Sequence, residues 1–336
     1  MGTRVLLALL LIAPSLLHAQ TNESQAPVFR LDVHVVSVDA QVLNKKTRHA
    51  QRELKQDDFE IYEDNARQQI TAFSQDTLPL SVVLLFDLTD SVRPVLKTLA
   101  EGAIEALQHL KPEDKVTVMV YAASTQVLQE ATTDRSLAVA AIEKASRMES
   151  EEAAFFNEGI FQAADALAKG DSASRRVIIW LTDNVPNIPA DSVPARFRKS
   201  MPLEKVHSQQ DAMKHALQTG TVVCSLIKQS DESVQGEQQL ISHPVDRMLH
   251  PPGEVYKYAS ATGGQVIEFK KKELQEKLTA LIDDLRMRYS IAYHPSGGQT
   301  GKKNKDKFCS IKVKLTPEAR KSAGEVVIEA RQGYYR

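Results

Sequence analysis

Four oxygen-bearing side chains at the ends of two apolar segments are the best candidates for chemistry in this chain. Asp87, Thr89 and Ser91 follow the first segment at alternate positions, and Asp183 follows a later one. Carboxylate and hydroxyl oxygens suit a hard divalent cation, because Mg²⁺ takes oxygen ligands in near-octahedral geometry and keeps part of its water. The pattern therefore predicts a site for a hard divalent cation such as Mg²⁺, which Asp183 reaches through a bound water.

Both segments belong to a series of apolar runs without alternation, which is typical of strands buried on both faces of a parallel sheet. Stretches with helical spacing separate the runs, so the pattern predicts an α/β fold with a doubly wound, mostly parallel sheet. The predicted strands span 81–86, 116–121, 176–181, 222–227 and 265–269. Because ligands bind beyond the carboxyl ends of such strands, Asp87 and Asp183 are expected at the same sheet edge.

Shorter β patterns flank this region on both sides. Alternating apolar residues and turns indicate strands within 29–78 and again within 288–336. Neither flank alone buries enough apolar area, so we expect the two to pack together as a small accessory β domain. The predicted organisation is an N-terminal β segment at 29–78, an α/β domain at 79–287 and a C-terminal β segment at 288–336.

The motif residues resemble the metal-ion-dependent adhesion site of the von Willebrand factor A-like (VWA) domain family. The family pattern Asp-x-Ser-x-Ser is matched by Asp87, Thr89 and Ser91, with Thr for the first Ser, and Asp183 matches its later Asp. The order of elements over 80–286 is also similar, and the flanks resemble a bacterial secreted subfamily. The resemblance implies a VWA/Rossmann-like fold and an adhesion-type, protein-binding function. It also implies that a bound Mg²⁺ or Mn²⁺ engages a carboxylate of a partner protein.

One position departs from that family pattern. The family has a Thr in a middle loop, and the matching residue here is Ala154, which has no side-chain oxygen. Neighbouring polar residues could substitute in a shifted loop; they are Ser150, Glu151, Glu152 and Asn157. Two hypotheses therefore stay open. One is a working cation site, and the other is a degenerate site in a metal-independent structural component of an envelope or secreted assembly.

A purely structural role is an alternative for the first motif. Asp and Ser are favoured at helix N-termini and in loops. Asp87 and Ser91 could therefore cap the helix that follows Pro94 and satisfy loop amides. Asp90 is expected to face solvent rather than a cation.

The N-terminus has the features of a secretory signal peptide. Arg4 precedes an apolar run over 5–13, which is too short to span a bilayer. Cleavage is predicted after Ala19, which gives a signal peptide at 1–19 and a polar linker at 20–28. This predicts a secreted or periplasmic protein whose mature chain has no stable membrane insertion; an uncleaved membrane anchor is the alternative.

Composition and motif content narrow the remaining function classes. With 42 Lys and Arg against 43 Asp and Glu, the net charge of −1 gives no electrostatic pull toward nucleic acid. The chain contains no zinc-hydrolase motif, no nucleophile elbow and no P-loop, so we expect a protein that is not an enzyme. Cys224 and Cys309 could form a disulfide in an oxidising compartment or remain free thiols.

Overall fold

The computed structural model describes residues 35–75, 78–149, 155–171, 173–183, 207–228, 254–270, 273–295 and 306–335. The strands are β1 (Val36–Asn44), β2 (Phe59–Glu63), β3 (Ala66–Gln68), β4 (Ile70–Gln75), β5 (Leu80–Asp87), β6 (Lys115–Tyr121), β7 (Thr125–Thr132), β8 (Arg175–Thr182), β9 (Val222–Lys228), β10 (Val266–Phe269), β11 (Tyr289–Tyr293), β12 (Phe308–Leu315), β13 (Val326–Ala330) and β14 (Gly333–Tyr335). The helices are α1 (Arg93–Ala106), α2 (Arg135–Arg147), α3 (Phe156–Ala168), α4 (Gln209–Gln218), α5 (Glu254–Thr262), α6 (Leu274–Arg286) and α7 (Pro317–Ala323). The predicted signal peptide, the linker at 20–28 and the loop that contains Ala154 lie outside the described residues.

A six-stranded sheet forms the centre of the α/β region, in the order β10-β9-β8-β5-β6-β7. Its neighbouring strands are parallel except for β7, which runs antiparallel to β6 at one edge. Every residue of β5 is buried, which explains why its sequence lacks polar alternation. Because β5 lies between β6 and β8, the carboxyl ends of these two strands flank its own.

Helices cover both faces of this sheet. One apolar core lies between the sheet and α1, α2 and α6, and it includes Phe86 and Val118. The second core lies between the opposite face and α3, α4 and α5, and it includes Tyr121 and Trp180. The prediction of a doubly wound, mostly parallel sheet is confirmed.

Strands from the two ends of the chain pair with each other in two antiparallel sheets. Their orders are β13-β1-β11-β4 and β14-β12-β2-β3. A third apolar core joins these sheets, and the rings of Phe59, Phe73 and Tyr289 contact one another there at 5.0–5.6 Å. The predicted accessory β domain from the N- and C-terminal segments is therefore confirmed.

The two cysteines lie in different parts of the fold, on β9 and β12. Cys224 and Cys309 are both buried free thiols, so no disulfide joins them. Burial raises the pKa of the Cys224 thiol to about 11, which keeps it protonated at neutral pH.

The turn between α5 and β10 passes very close to β9, and this contact requires glycine. A Cβ added at Gly264 would lie 1.9 Å from the carbonyl oxygen of Val223. We expect Gly264→Ala to lower the free energy of unfolding by about 2–3 kcal/mol, because a backbone atom cannot give way as a flexible side chain can. Urea denaturation followed by circular dichroism measures the change.

Gly220 is the matched control for that substitution. It has a φ of +66°, but a Cβ there would meet nothing within 4 Å. Gly220→Ala should therefore cost only the backbone strain of a left-handed residue, about 1 kcal/mol. Equal losses in the two variants would show that the close approach at Gly264 does not matter to stability.

Candidate functional site

The carboxyl end of β5 carries the first predicted ligand, Asp87. Strand register brings the ends of the two neighbouring strands beside it: Asp87 pairs with Tyr121 of β6, and Phe86 pairs with Leu181 of β8. Thr182 therefore lies next to Asp87 on the other side. Asp87 itself is 1% exposed, so its carboxylate depends on protein partners for hydrogen bonds.

Both oxygens of the Asp87 carboxylate accept hydrogen bonds. Oδ1 accepts from the Thr89 backbone N–H at 2.9 Å and from the Thr89 hydroxyl at 2.7 Å. Oδ2 accepts from the Tyr121 hydroxyl at 2.6 Å and from the Thr182 hydroxyl at 2.8 Å. Burial raises the pKa of Asp87 above its usual value, and these hydrogen bonds act in the opposite direction.

Tyr121 is held in place by an aromatic cluster beneath the site. Trp180 Nε1 donates to the Tyr121 hydroxyl at 2.8 Å, and the rings of Phe156 and Tyr258 pack against Trp180 at 5.6 and 6.1 Å. Burial and the neighbouring Asp87 carboxylate raise the pKa of Tyr121 well above its usual value, so the phenol remains protonated. The hydroxyl therefore stays a donor toward Asp87.

The loop after β5 brings the three predicted motif residues together. The Thr89 and Ser91 hydroxyl oxygens are 3.0 Å apart, and Thr89 Oγ1 is 2.7 Å from Asp87 Oδ1. Neighbouring ligands of an octahedral Mg²⁺ ion are about 3 Å apart, because each ligand lies ~2.1 Å from the metal. The oxygens of Asp87, Thr89 and Ser91 thus have a spacing that fits adjacent positions around such an ion.

Ser91 is exposed, whereas Thr89 is buried, so the motif runs from the sheet edge toward solvent. Asp90, between them, is exposed, as expected. Asp183 directly follows β8 and is half-buried, which places it at the same sheet edge as Asp87. Its action through a bound water stays a prediction.

The residues that could replace the family's middle-loop Thr lie just before α3 and in its first turn. Ala154 lies outside the described residues, as do Ser150, Glu151 and Glu152. Asn157 is buried in the first turn of α3, and its Oδ1 accepts a hydrogen bond from Tyr258 at 2.7 Å. Asn157 is one of the residues that could replace the missing Thr, and its side-chain oxygen already accepts a hydrogen bond from α5.

The alternative that Asp87 and Ser91 cap the following helix is wrong in one respect and right in another. The N-cap residue of α1 is Val92, whose side chain makes no capping hydrogen bond, so neither Asp87 nor Ser91 is the cap residue. Asp87 does satisfy a loop amide, that of Thr89. The carboxylate thus organises its own loop rather than the helix.

A metal site can also be built mainly from His, Cys, Asp and Glu side chains, without hydroxyl ligands. Over the ranges given for the fold, no group of three or more His, Cys, Asp or Glu side chains could hold a metal ion.

Tyr121, Trp180 and Thr182 are the site residues that the sequence alone did not identify. The sequence does carry one indication of them, because side chains of alternate strand residues point to the same face of a sheet. The residues two and four positions before Asp87 lie in the second core, and Tyr121 and Trp180 lie in that core as well. Only the strand register, which the sequence leaves open, shows that these side chains meet.

Comparison with known proteins identifies one family over part of the chain. Residues 82–185 match the model of the von Willebrand factor type A domain. A search of curated proteins finds no match.

Several solved structures are similar to this chain at low identity. The conserved hypothetical protein BatB from Bacteroides thetaiotaomicron is 18% identical, with 61% of this chain and 98% of that chain covered and a TM-score of 0.43. An aerotolerance-related membrane protein from Bacteroides fragilis NCTC 9343 is 16% identical, with the same coverage and TM-score. A von Willebrand factor type A structure from Catenulispora acidiphila is 12% identical, with 90% and 75% covered and a TM-score of 0.44.

Proposed function

Because the chain contains a von Willebrand factor type A domain, we propose that it is a secreted or periplasmic protein-binding module of the adhesion type. In this proposal, a divalent cation at the carboxyl end of β5 links the module to a partner protein. The ligands are Asp87, Thr89 and Ser91, with Asp183 acting through water. When bound, Mg²⁺ or Mn²⁺ supplies an open coordination position for a Glu or Asp carboxylate of the partner.

The observation that carries the proposal is the convergence of three motif oxygens at one sheet edge. The 2.7 and 3.0 Å separations join Asp87 Oδ1, Thr89 Oγ1 and Ser91 Oγ in series. A hydroxyl that donates its hydrogen keeps two lone pairs, so these contacts are compatible with a cation as a further neighbour. The exposed Ser91 sets the side from which a partner carboxylate would approach.

The secretory part of the proposal depends on residues 1–19, which precede the described residues. Among the helices of the described ranges, none is long and apolar enough to cross a membrane. We propose no enzymatic activity, since the chain has none of the catalytic motifs considered above.

Titration of the purified protein with Mg²⁺ tests the cation site. Trp180 is the only tryptophan in the chain, and its hydrogen bond to Tyr121 makes its fluorescence a local probe beside calorimetry. We expect the wild type to bind Mg²⁺ and Asp87→Ala not to bind it. Ser91→Ala should weaken binding about tenfold with little effect on folding, because its hydroxyl is exposed and contributes one ligand.

Asp90→Asn is the matched control, since it removes a charge from the same exposed loop without removing a proposed ligand. Its Mg²⁺ affinity should stay within about threefold of the wild type, because exposed charges interact weakly. If the wild type bound no Mg²⁺ at millimolar concentration, the cation mechanism would be excluded.

A second candidate function is favoured by one specific observation. Asp87 already accepts four hydrogen bonds from protein groups, so its loop closes without a cation. The chain would then be a metal-independent structural component of an envelope or secreted assembly. Identical partners captured by the immobilised protein in Mg²⁺ and in EDTA would support this function, whereas partners that are lost in EDTA and with Ser91→Ala would support adhesion.

A further inference from the structure

Tyr121 lies outside the sequence motif, but its hydroxyl donates a hydrogen bond to the motif carboxylate of Asp87. We infer that Tyr121, together with Thr182, restricts Asp87 to a single metal-facing oxygen and thereby makes the site select Mg²⁺ over Ca²⁺. This inference rests on the proposed cation site. It assigns a specificity role to a residue outside the motif, on a neighbouring strand.

The direction of each hydrogen bond follows from the chemistry of the donors. The indole N–H of Trp180 can only donate, so the Tyr121 hydroxyl is its acceptor at 2.8 Å. The hydroxyl hydrogen of Tyr121 is then directed to Asp87 Oδ2 at 2.6 Å. Trp180 therefore fixes Tyr121 as a donor to the carboxylate.

Two hydroxyl groups thus cover one oxygen of the carboxylate. Thr182 donates to the same Oδ2 atom at 2.8 Å, from the opposite neighbouring strand. All three residues are at most 2% exposed, so water does not compete freely for these contacts. Oδ1 accepts its two hydrogen bonds from the backbone N–H and the hydroxyl of Thr89, within the motif itself, so it is the oxygen that faces the loop.

The number of oxygens that a carboxylate offers separates the two cations. Ca²⁺ takes six to eight oxygen ligands in flexible geometry and often binds both oxygens of a carboxylate. Mg²⁺ requires a near-ideal octahedron and usually takes one oxygen from a carboxylate together with water. A carboxylate with Oδ2 held by two donors meets the requirement of Mg²⁺ and withholds a ligand that Ca²⁺ would use.

The packing around Tyr121 keeps this arrangement rigid. The Cβ position of Gly159 on α3 would lie 3.1 Å from Tyr121 Cγ, so the helix approaches the ring closely. The ring of Trp180 also packs against that of Tyr121 edge-on, with the ring centres 6.3 Å apart. A ring confined in this way cannot swing aside to release Oδ2 when a larger ion arrives.

Calorimetric titration of the purified protein with Mg²⁺ and with Ca²⁺ tests the inference. The readout is the ratio of the two Kd values. A general loss of folding would weaken the binding of both cations by the same factor and leave this ratio unchanged. We expect the wild type to bind Mg²⁺ more tightly than Ca²⁺, and Tyr121→Phe to shift the ratio about tenfold toward Ca²⁺. That shift corresponds to the loss of one hydrogen bond to a charged group.

Tyr258→Phe is the matched control. Tyr258 is also fully buried against Trp180, but its hydroxyl donates to Asn157 rather than to Asp87. Its Kd ratio should stay within about twofold of the wild type. Thr182→Val removes the other donor to Oδ2 without changing the side-chain shape, and it provides a second route if Tyr121→Phe does not fold.

The possible outcomes separate the two proposals. If the wild type binds neither cation, the proposed cation site is excluded, and the selectivity inference with it. If the wild type binds both but prefers Ca²⁺, or if Tyr121→Phe and Thr182→Val leave the ratio unchanged, only the selectivity inference is overturned. A shift with both variants and none with Tyr258→Phe supports it.

Discussion

Asp87→Ala is expected to lower the free energy of unfolding by about 3–4 kcal/mol in the absence of any cation. The carboxylate accepts hydrogen bonds from Thr89, Tyr121 and Thr182, and all of these groups are buried. Alanine leaves four donors without an acceptor, and each unsatisfied buried donor costs about 1–3 kcal/mol, partly offset because a buried charge is also removed. Urea denaturation in EDTA measures the loss directly.

Ser91→Ala is the control for this stability effect. Ser91 belongs to the same motif, but it is exposed, and its hydroxyl lies 3.0 Å from the Thr89 hydroxyl at the outer end of the network. Its free energy of unfolding should stay within about 0.5 kcal/mol of the wild type. If Asp87→Ala were as stable as Ser91→Ala, the hydrogen-bond network around the carboxylate would contribute nothing to folding.

The same pair of variants separates a cation site from a purely structural carboxylate. A cation that binds only the folded state raises the free energy of unfolding by about 2.7 kcal/mol at a hundred times its Kd. Mg²⁺ should therefore stabilise the wild type, stabilise Ser91→Ala less at equal concentration, and leave Asp87→Ala unchanged. A stabilisation that survives in Asp87→Ala would place the cation elsewhere on the molecule.

The buried strands could be predicted because their environment determines their composition. A strand covered by helices on both faces must be apolar throughout, and β5 has this pattern in its sequence and in its burial. The alternation of such strands with helical spacing was sufficient to predict the fold class.

The elements that the sequence did not reveal are short or lie at an edge. The residues of β7 are all at least partly exposed, so its composition is polar and gives no strand signal. Both α7 and β14 are short elements, of seven and three residues. Such segments take their conformation from the neighbours they pack against, and local patterns do not encode those neighbours.

The site could be predicted only in its local part. Asp87, Thr89 and Ser91 are close in sequence, so their spacing alone indicates that three oxygens can converge. Tyr121 and Trp180 contribute through hydrogen bonds between strands that are far apart in the chain. These contacts depend on which strands are neighbours and on their register, and a single sequence leaves both open.

Arg175→Met is expected to lower the free energy of unfolding by about 3–5 kcal/mol, because it breaks an ion pair between a buried Arg175 in the α/β region and a half-buried Asp39 in the accessory β domain. The Arg175 side chain, at the start of β8, is 0% exposed and donates to Asp39 of β1 at 3.0 Å. It also donates to the Leu285 carbonyl at 2.6 Å. Arg176→Met is the control, because Arg176 is half-buried and its side chain donates to the Thr219 carbonyl rather than to a carboxylate among the described residues. Arg176→Met should cost about 1 kcal/mol or less.

The pH dependence of the Arg175→Met loss identifies its cause. Burial acts to raise the pKa of Asp39, but the charge and hydrogen bonds of Arg175, with Arg288 and Ser290, hold it below the usual 3.8. In the wild type this pair therefore contributes its full stability above about pH 4, and the contribution is lost as the pH falls further through the lowered pKa.

Without Arg175, burial should raise the pKa of Asp39 above its unfolded value, so the variant gains stability as the pH falls through that raised pKa. The difference between wild type and Arg175→Met should then narrow as the pH falls from 7 to 4.5 in urea denaturation. A difference that stays constant over this range would mean that lost packing, rather than an unpaired Asp39, destabilises the variant.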